Sequence, residues 1–288
     1  MSLTDIPLYA ESWNVAFRLR SQGTILEDRS TPFTVIPNSF RYWAADPMVF
    51  SHQGQTYIFA ELFDYVLRRG VIGVTRYLGD GSFGPWEPIL REEFHMSYPY
   101  VFRSGAEIFM IPETTRRDAL LLYRAVEFPM CWELHKVIRE NVKWADTSIT
   151  PDGDGFSGYT QAYADGRSQD LHLRLNGALE LVGETPLPGN DPRIYRPGGR
   201  PFAHGGRVYR ICQDCREGYG RALYFRPEDC PDGDARRITP EELTLSKTMP
   251  LQGMHTYTAT EEFEVIDLKT RRLNPLNLLF RIIGKFSR

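Results

Sequence analysis

Cysteine is scarce. Four residues, Cys131, Cys212, Cys215 and Cys230, in a chain of 288 cannot staple a disulfide scaffold, and they are expected to be free thiols in a reducing compartment. No apolar run approaches the roughly eighteen residues that a membrane-crossing helix needs. The formal net charge is only -3, so the chain lacks the basic excess of a protein that grips nucleic acid by its phosphates, and no nucleic-acid partner is expected. The opening MSLTDIPLYAESW has neither a basic start nor an apolar stretch, so no signal peptide is expected and the cytoplasm is the expected location. No glycine-rich loop follows a strand and opens a helix, so no nucleotide cofactor is expected.

Turn-forming residues are plentiful: 24 glycines and 20 prolines. They punctuate a segment that returns five times, a short apolar strand, a Gly-bearing turn and a second strand. The copies open at Asp46, Tyr98, Asp146, Arg200 and His255, in steps of 52, 48, 54 and 55 residues. A period near fifty built from strand hairpins marks a β-propeller with one blade per copy. The fifth copy opens too near the end to build four strands. Trp13, Val15, Phe17 and Leu19 alternate with Ser12, Asn14, Ala16 and Arg18, the period of a half-buried strand. Residues 12–20 are therefore expected to complete the last blade and remove an open edge. Outer strands are expected at 73–77 and 120–125, and residues 226–239, rich in Pro, Asp and Gly, should form an irregular connection. The expected fold is all-β: a five-bladed β-propeller over residues 1–273, followed by a short C-terminal amphipathic helix, 274–288.

A hairpin brings residues about fifteen apart side by side. Asp46 then meets Glu61, Tyr98 meets Glu113, Asp146 meets Gln161 and Gly199 meets Asp214. Polar groups from five blades should converge on one axial mouth, where Arg196, Arg200 and His255 join the carboxyl groups. A lone Asp before Pro or Thr can simply cap a turn; register-matched copies point to a binding site. Tyr42, Trp43, Tyr98, Tyr100, Trp144 and Tyr195 flank the blade openings, and Trp43 and Trp144 stand beside the opening aspartates, where a flat ring can cover the apolar face of a sugar.

The segment from Trp43 to Pro47, with Gln53 to Tyr57 at the turn, resembles the opening of five-bladed glycosidases: glycoside hydrolase family 43 and the invertase and levansucrase families. That resemblance implies that Asp46 is base or nucleophile and that Asp146 tunes the acid. Family 43 carries its general-acid Glu at the opening of blade four, where this chain has Arg196 to Arg200 and no carboxylate. Glycoside hydrolysis generally needs two carboxyl groups, and arginine, with a pKa above ~12, cannot lend a proton. Glu113 or Asp214 would have to substitute, with Glu113 the candidate donor. A closer likeness joins HMSYPYVF (95–102), RPGGRPF (196–202) and Gln213-Asp214-Cys215 before Tyr219-Gly220 to the propeller module of plant glucosamine inositolphosphorylceramide transferases and its bacterial relatives. It implies work in glycan or glycolipid assembly.

The expected ligand is a sugar or sugar conjugate, with Arg196 and Arg200 suited to an anionic part through bidentate hydrogen bonds. The leading expectation is glycosidase-like chemistry on an intracellular sugar conjugate; the alternatives are a sugar-recognition module without turnover, or glycosyl transfer or phosphorolysis, in glycan or glycolipid assembly. No metal is expected: Cys212 and Cys215 have zinc-knuckle spacing but no properly spaced second pair, and Asp152-Gly-Asp154 and Asp232-Gly-Asp234 read as turns. In the tail, Leu276, Leu279, Phe280 and Ile283 fall at helical spacing near Arg281, Lys285 and Arg288. Such a helix either rests on a membrane surface or docks on the propeller or a partner domain.

Overall fold

The computed structural model describes residues 9–20, 23–188, 196–229 and 235–286. Tyr195, Cys230, Asp232-Gly-Asp234 and Arg288 lie outside them. Five antiparallel sheets form a five-bladed β-propeller. Blade one is β3 (Tyr42–His52), β4 (Gln55–Asp64), β5 (Arg69–Arg76) and β6 (Glu87–Leu90). Blade two is β7 (Ser97–Ser104), β8 (Glu107–Glu113), β9 (Ala119–Glu127) and β10 (Cys131–Glu140). Blade three is β11 (Trp144–Asp152), β12 (Gly155–Ala164), β13 (Arg167–Leu175) and β14 (Leu181–Pro186). Blade four is β15 (Phe202–His204), β16 (Arg207–Asp214), β17 (Ala222–Pro227) and β18 (Arg236–Ile238). β18 corrects the expectation of an unbroken irregular connection at 226–239.

The last blade closes the ring. β1 (Tyr9–Leu19) pairs along its whole length with β21 (Phe263–Leu273), β2 (Thr34–Val35) lies outside β1, and β19 (Leu251–Gly253) and β20 (Tyr257–Ala259) both pair with β21. The N-terminal strand thus satisfies the edge that the fifth copy leaves open. Apolar faces pack blade against blade. One cluster joins blades one to three through Met48, Phe102, Leu122 and Ile149. A second joins blades four and five through Ile211, Phe225, Tyr257 and Leu268. A third joins blade five to blade one through Phe17, Val265, Ile58 and Leu62. The seam between blades three and four is more polar, with Arg210 over the Tyr159 ring at 3.8 Å.

The innermost strands of blades one to three each carry a bulge at the opening residue. Pairing jumps from Ala45 to Met48, from Ser97 to Tyr100 and from Ala145 to Ser148. Asp46, Tyr98 and Asp146, within those bulges, have φ of 52°, 44° and 56°, in the left-handed region that side chains rarely adopt. Such backbone persists only where its surroundings enforce it, and here they do. The Asp46 N–H freed by the bulge donates to Asp267 Oδ2 (3.0 Å) and the Tyr98 N–H to Asp46 Oδ2 (3.3 Å); Gly199 N–H donates to Tyr98 Oη (2.7 Å). These bonds stitch blade five to one, one to two, and two to four.

The short helix α1 (Asn277–Phe286) follows β21. Phe280 stacks on Tyr65, and a side chain at Gly284 would collide with the Val66 carbonyl, so the helix rests on the β4–β5 turn. Among the described residues no helix is long and apolar enough to cross a membrane.

Candidate functional site

A cavity of about 850 Å³ opens at the end of the axis where the first strands start and the second strands finish. Blade one contributes Trp43 from β3, Glu61 and Phe63 from β4, Leu67 and Arg68 from the turn beyond, and Arg69 from the start of β5. The β6–β7 loop adds Glu93, Phe94 and His95; blade two adds Ser97, Glu113 and Arg116. Tyr163, Arg196, Tyr219, His255 and Trp13 come from the other side.

Trp43 lies parallel to Phe63, with ring centroids 4.9 Å apart at 6°, and Arg68 sits over Phe63. Opposite, Trp13 stacks on His255 at 3.9 Å, while Arg196 lies over the Tyr219 ring. The mouth thus offers aromatic surface on two sides.

Five expected site residues line this mouth: Trp43, Glu61, Glu113, Arg196 and His255. The others lie elsewhere, each for a visible reason. Asp46 and Asp146 sit beneath the floor, 4% and 2% exposed. Asp46 accepts the Thr256 hydroxyl (2.8 Å) besides the Tyr98 N–H, and Asp146 Oδ2 accepts Arg196 Nε (2.6 Å) and Gln213 Nε2 (2.7 Å). Tyr98 is fully buried, its hydroxyl shared between Ser148 and Gly199. Trp144 packs in the core of blades one to three. Gln161 donates to Asp170 and accepts from Tyr163.

Blade four corrects the fifteen-residue register. Pro197 bridges to Cys212, and the Gln213 N–H donates to the Arg196 carbonyl. Gln213, not Asp214, is therefore the residue that turns inward. A slip of one residue in a strand sends a side chain to the opposite face, and Asp214 is pinned there by Arg216 (2.9 Å) and Arg237 (2.8 Å). Gly198 and Gly199 run so close to blade five that side chains there would meet the His255 and Tyr257 carbonyls. Arg200 consequently starts deeper in the blade; it lies over Tyr100 and donates to the Val101 carbonyl rather than reaching the mouth.

Burial and charge set the protonation of the mouth. Burial, reinforced by Asp46 and Glu113, pushes the Glu61 carboxyl well above its ordinary range. Gly70 leaves the space that this carboxyl and His95 occupy. His95 Nδ1 accepts the Gly70 N–H (2.9 Å), so in the neutral ring Nε2 carries the proton, 3.7 Å from Glu61 Oε1. Burial holds His95 below its ordinary value. Burial also pushes Asp46 up to about 7, against the pull of His255. For His255 burial acts downward, but Asp267 and Asp46 outweigh it and hold the imidazole above its ordinary value. Glu113 is braced by Ser97 Oγ (3.0 Å) and the Thr115 N–H (2.9 Å).

Asp46, His255 and Asp267 offer ligand atoms within 4.8 Å of one another, the one such group among the described residues. Their own bonds occupy those atoms: His255 Nδ1 meets Asp267 Oδ2 at 2.6 Å, and Asp267 accepts three backbone N–H groups. Cys212 is buried, Cys215 Sγ accepts the Gly220 N–H, and Asp152-Gly-Asp154 forms the β11–β12 turn.

Residues 34–228 match the family described as glucosamine inositolphosphorylceramide transferase 1, N-terminal. The chain belongs to this family. It is 33% identical over 204 residues to glucosamine inositolphosphorylceramide transferase 1 of Arabidopsis thaliana, covering 65% of this chain and 25% of that protein. The protein of the same name from Oryza sativa subsp. indica is 31% identical over 197 residues, 65% of this chain and 26% of its own length. The chain thus spans about a quarter of the curated relatives it matches. Among solved structures, a thermostable family-43 glycoside hydrolase superposes with a TM-score of 0.55 at 14% identity, covering 79% of this chain and 88% of the hydrolase. The catalytic domain of the Coprinopsis cinerea GH62 α-L-arabinofuranosidase gives 0.58 at 10% identity, covering 88% and 98%. At such identities the likeness is one of fold.

Arg68, Arg69, Glu93, His95, Tyr163 and Tyr219 were not expected at the mouth. They come from turns, loops and strand ends outside the repeated opening. Two signals were readable: the segment HMSYPYVF begins with His95, and Tyr219-Gly220 belongs to the same family likeness.

Proposed function

We propose that the axial mouth recognises the hydroxyl-rich, phosphate-bearing head of a glycoconjugate, and that the propeller is a recognition module in glycan or glycolipid assembly. Two buried polar atoms on the mouth wall carry the reading. Among the described residues, Glu61 Oε1 and Arg69 Nε have no hydrogen-bond partner. A buried polar atom left unpaired costs roughly 1–3 kcal/mol, and a ligand that brings an acceptor to Arg69 and a hydroxyl to Glu61 removes that cost. Arg68, Arg69 and Arg116 supply charge for a phosphate; Trp43 and Phe63 supply a surface for a ring. The relatives bear the name glucosamine inositolphosphorylceramide transferase 1, and the inositol phosphate in that name makes a cyclic polyol phosphate the first ligand to try.

The test is calorimetric titration with myo-inositol, inositol 1-phosphate and glucosamine. Inositol 1-phosphate is expected to bind most tightly, and Arg69→Ala or Trp43→Ala to weaken it. Absence of binding by all three overturns the proposal.

One observation favours a second reading, glycoside hydrolysis: burial and the neighbouring carboxylates push the Glu61 carboxyl well above its ordinary range, the direction a proton donor needs, and Glu61 lines the mouth. Asp46 would then be the base, and Glu61 rather than Glu113 the acid. Its two bonds to neighbouring blades and its place under the floor weigh against that role. Turnover of aryl glycosides that Asp46→Asn abolishes would establish hydrolysis; absence of turnover would remove it.

A further inference from the structure

The turn that carries Leu67 and Arg68 into the mouth is the turn on which α1 rests. Helix and mouth are therefore neighbours. Phe280 and Gly284 face the turn, and Asn274 ties the start of the tail to the Phe40 carbonyl (3.0 Å). The expectation that the tail docks on the propeller describes this contact, but docking uses one side of the helix only. Leu276, Leu279, Ile282 and Ile283 remain exposed, as do Leu273, just before the helix, and Phe40, whose carbonyl Asn274 holds; these six are 36–53% exposed. Concentrated apolar exposure of this kind on a soluble domain marks an interaction surface. Its surroundings are basic. Arg272 bonds the Ser39 carbonyl and lies over Phe40, Arg271 is exposed on the neighbouring strand, and Arg68 stands on the adjacent turn.

An apolar strip bordered by arginines is complementary to an anionic bilayer, where acyl chains take the strip and lipid phosphates take the guanidinium groups. We propose that this face rests on an anionic membrane surface and presents the mouth to the headgroup of a lipid still anchored in the bilayer. The helix lies in the interface and does not span it. The membrane contact is independent of the mouth's ligand; only the headgroup step rests on the reading above.

The test is flotation of the full chain with vesicles of phosphatidylcholine alone and of phosphatidylcholine with phosphatidylserine. The chain is expected to float with the anionic vesicles, to be released by high salt, and to lose at least about tenfold in partitioning when Leu279→Glu and Ile283→Glu are combined. Trp43→Ala should float like the parent. No flotation, or flotation indifferent to the two glutamates, overturns the proposal. So does a concentration-dependent dimer that the glutamates dissolve without any vesicle binding, since a second copy would then cover the strip. Soluble inositol 1-phosphate titrated into the double variant separates the two claims. Retained affinity with lost flotation confines the damage to the membrane face, and flotation without affinity leaves the membrane face standing while the mouth reading fails.

Discussion

Replacing Arg196 with methionine removes the guanidinium that sits 2.6 Å from Asp146 and lies over Tyr219. Asp146 is 2% exposed and keeps one other side-chain donor, Gln213. Breaking a buried pair by deleting one partner typically costs 3–5 kcal/mol, because the surviving charge is stranded. Arg196→Met is therefore expected to lose about 3–4 kcal/mol. Adding Asp146→Asn removes the stranded charge and should recover about 2 kcal/mol, leaving the loss of the Tyr219 contact. Urea unfolding followed by tryptophan fluorescence measures all four corners of the cycle. A loss under about 1 kcal/mol, or one that Asp146→Asn does not change, would refute the view that Asp146 and Arg196 form a structural latch between blades three and four.

The Asp46–His255 cluster sets a pH trend. Unfolded, the carboxyl gives up its proton near pH 4; folded, it holds it to about 7, so the folded state binds more protons across that window and stability falls as pH rises through it. His255, held above its ordinary value, acts in the same direction at higher pH. Unfolding free energy should thus decline from pH 5 to pH 8, with a shallower decline in Asp46→Asn; a rise over that range contradicts the assignment. Glu61→Gln mimics the protonated acid, so it should stabilise the protein by about 1–2 kcal/mol at pH 8 and hardly at all at pH 5; thermal melts at the two pH values decide this. Gly199→Ala puts a methyl group into the Tyr257 carbonyl at a residue whose φ is 139°, and is expected to cost over ~3 kcal/mol or to abolish soluble expression. A well-folded Gly199→Ala protein would mean that blades four and five pack more loosely than described.

The architecture was legible because it repeats. The first hairpins of blades one to four announce themselves through one apolar strand, one glycine turn and a second strand, the last blade's turn is Thr260-Glu261-Glu262, and the alternation of Trp13, Val15 and Phe17 marks the strand that closes the ring. The site was legible only where the repeat keeps its register. Ala45 pairs with Glu61 and Ser97 with Glu113, so both carboxyls reach the mouth as spacing foretold. In blade four the Gly198–Gly199 approach to blade five changes the register, which exchanges Gln213 for Asp214 and draws Arg200 away. The repeated Asp also has a second meaning that spacing cannot disclose. A polar residue at a bulge can face a ligand or bond the next blade, and Asp46 bonds the next blade. His95, in a loop, and Arg69, at the start of β5, obey no period, and only the folded chain brings them to the same mouth as Glu61.

The proposed recognition of a phosphate-bearing polyol by Arg69, Glu61 and the Trp43 ring is decided by calorimetric titration of inositol 1-phosphate against myo-inositol, on the parent and on Arg69→Ala. The phosphate ester is expected to bind at least about tenfold more tightly than the free polyol, with that advantage lost in the variant. Equal affinity for the two ligands, or a phosphate preference that survives Arg69→Ala, would contradict it.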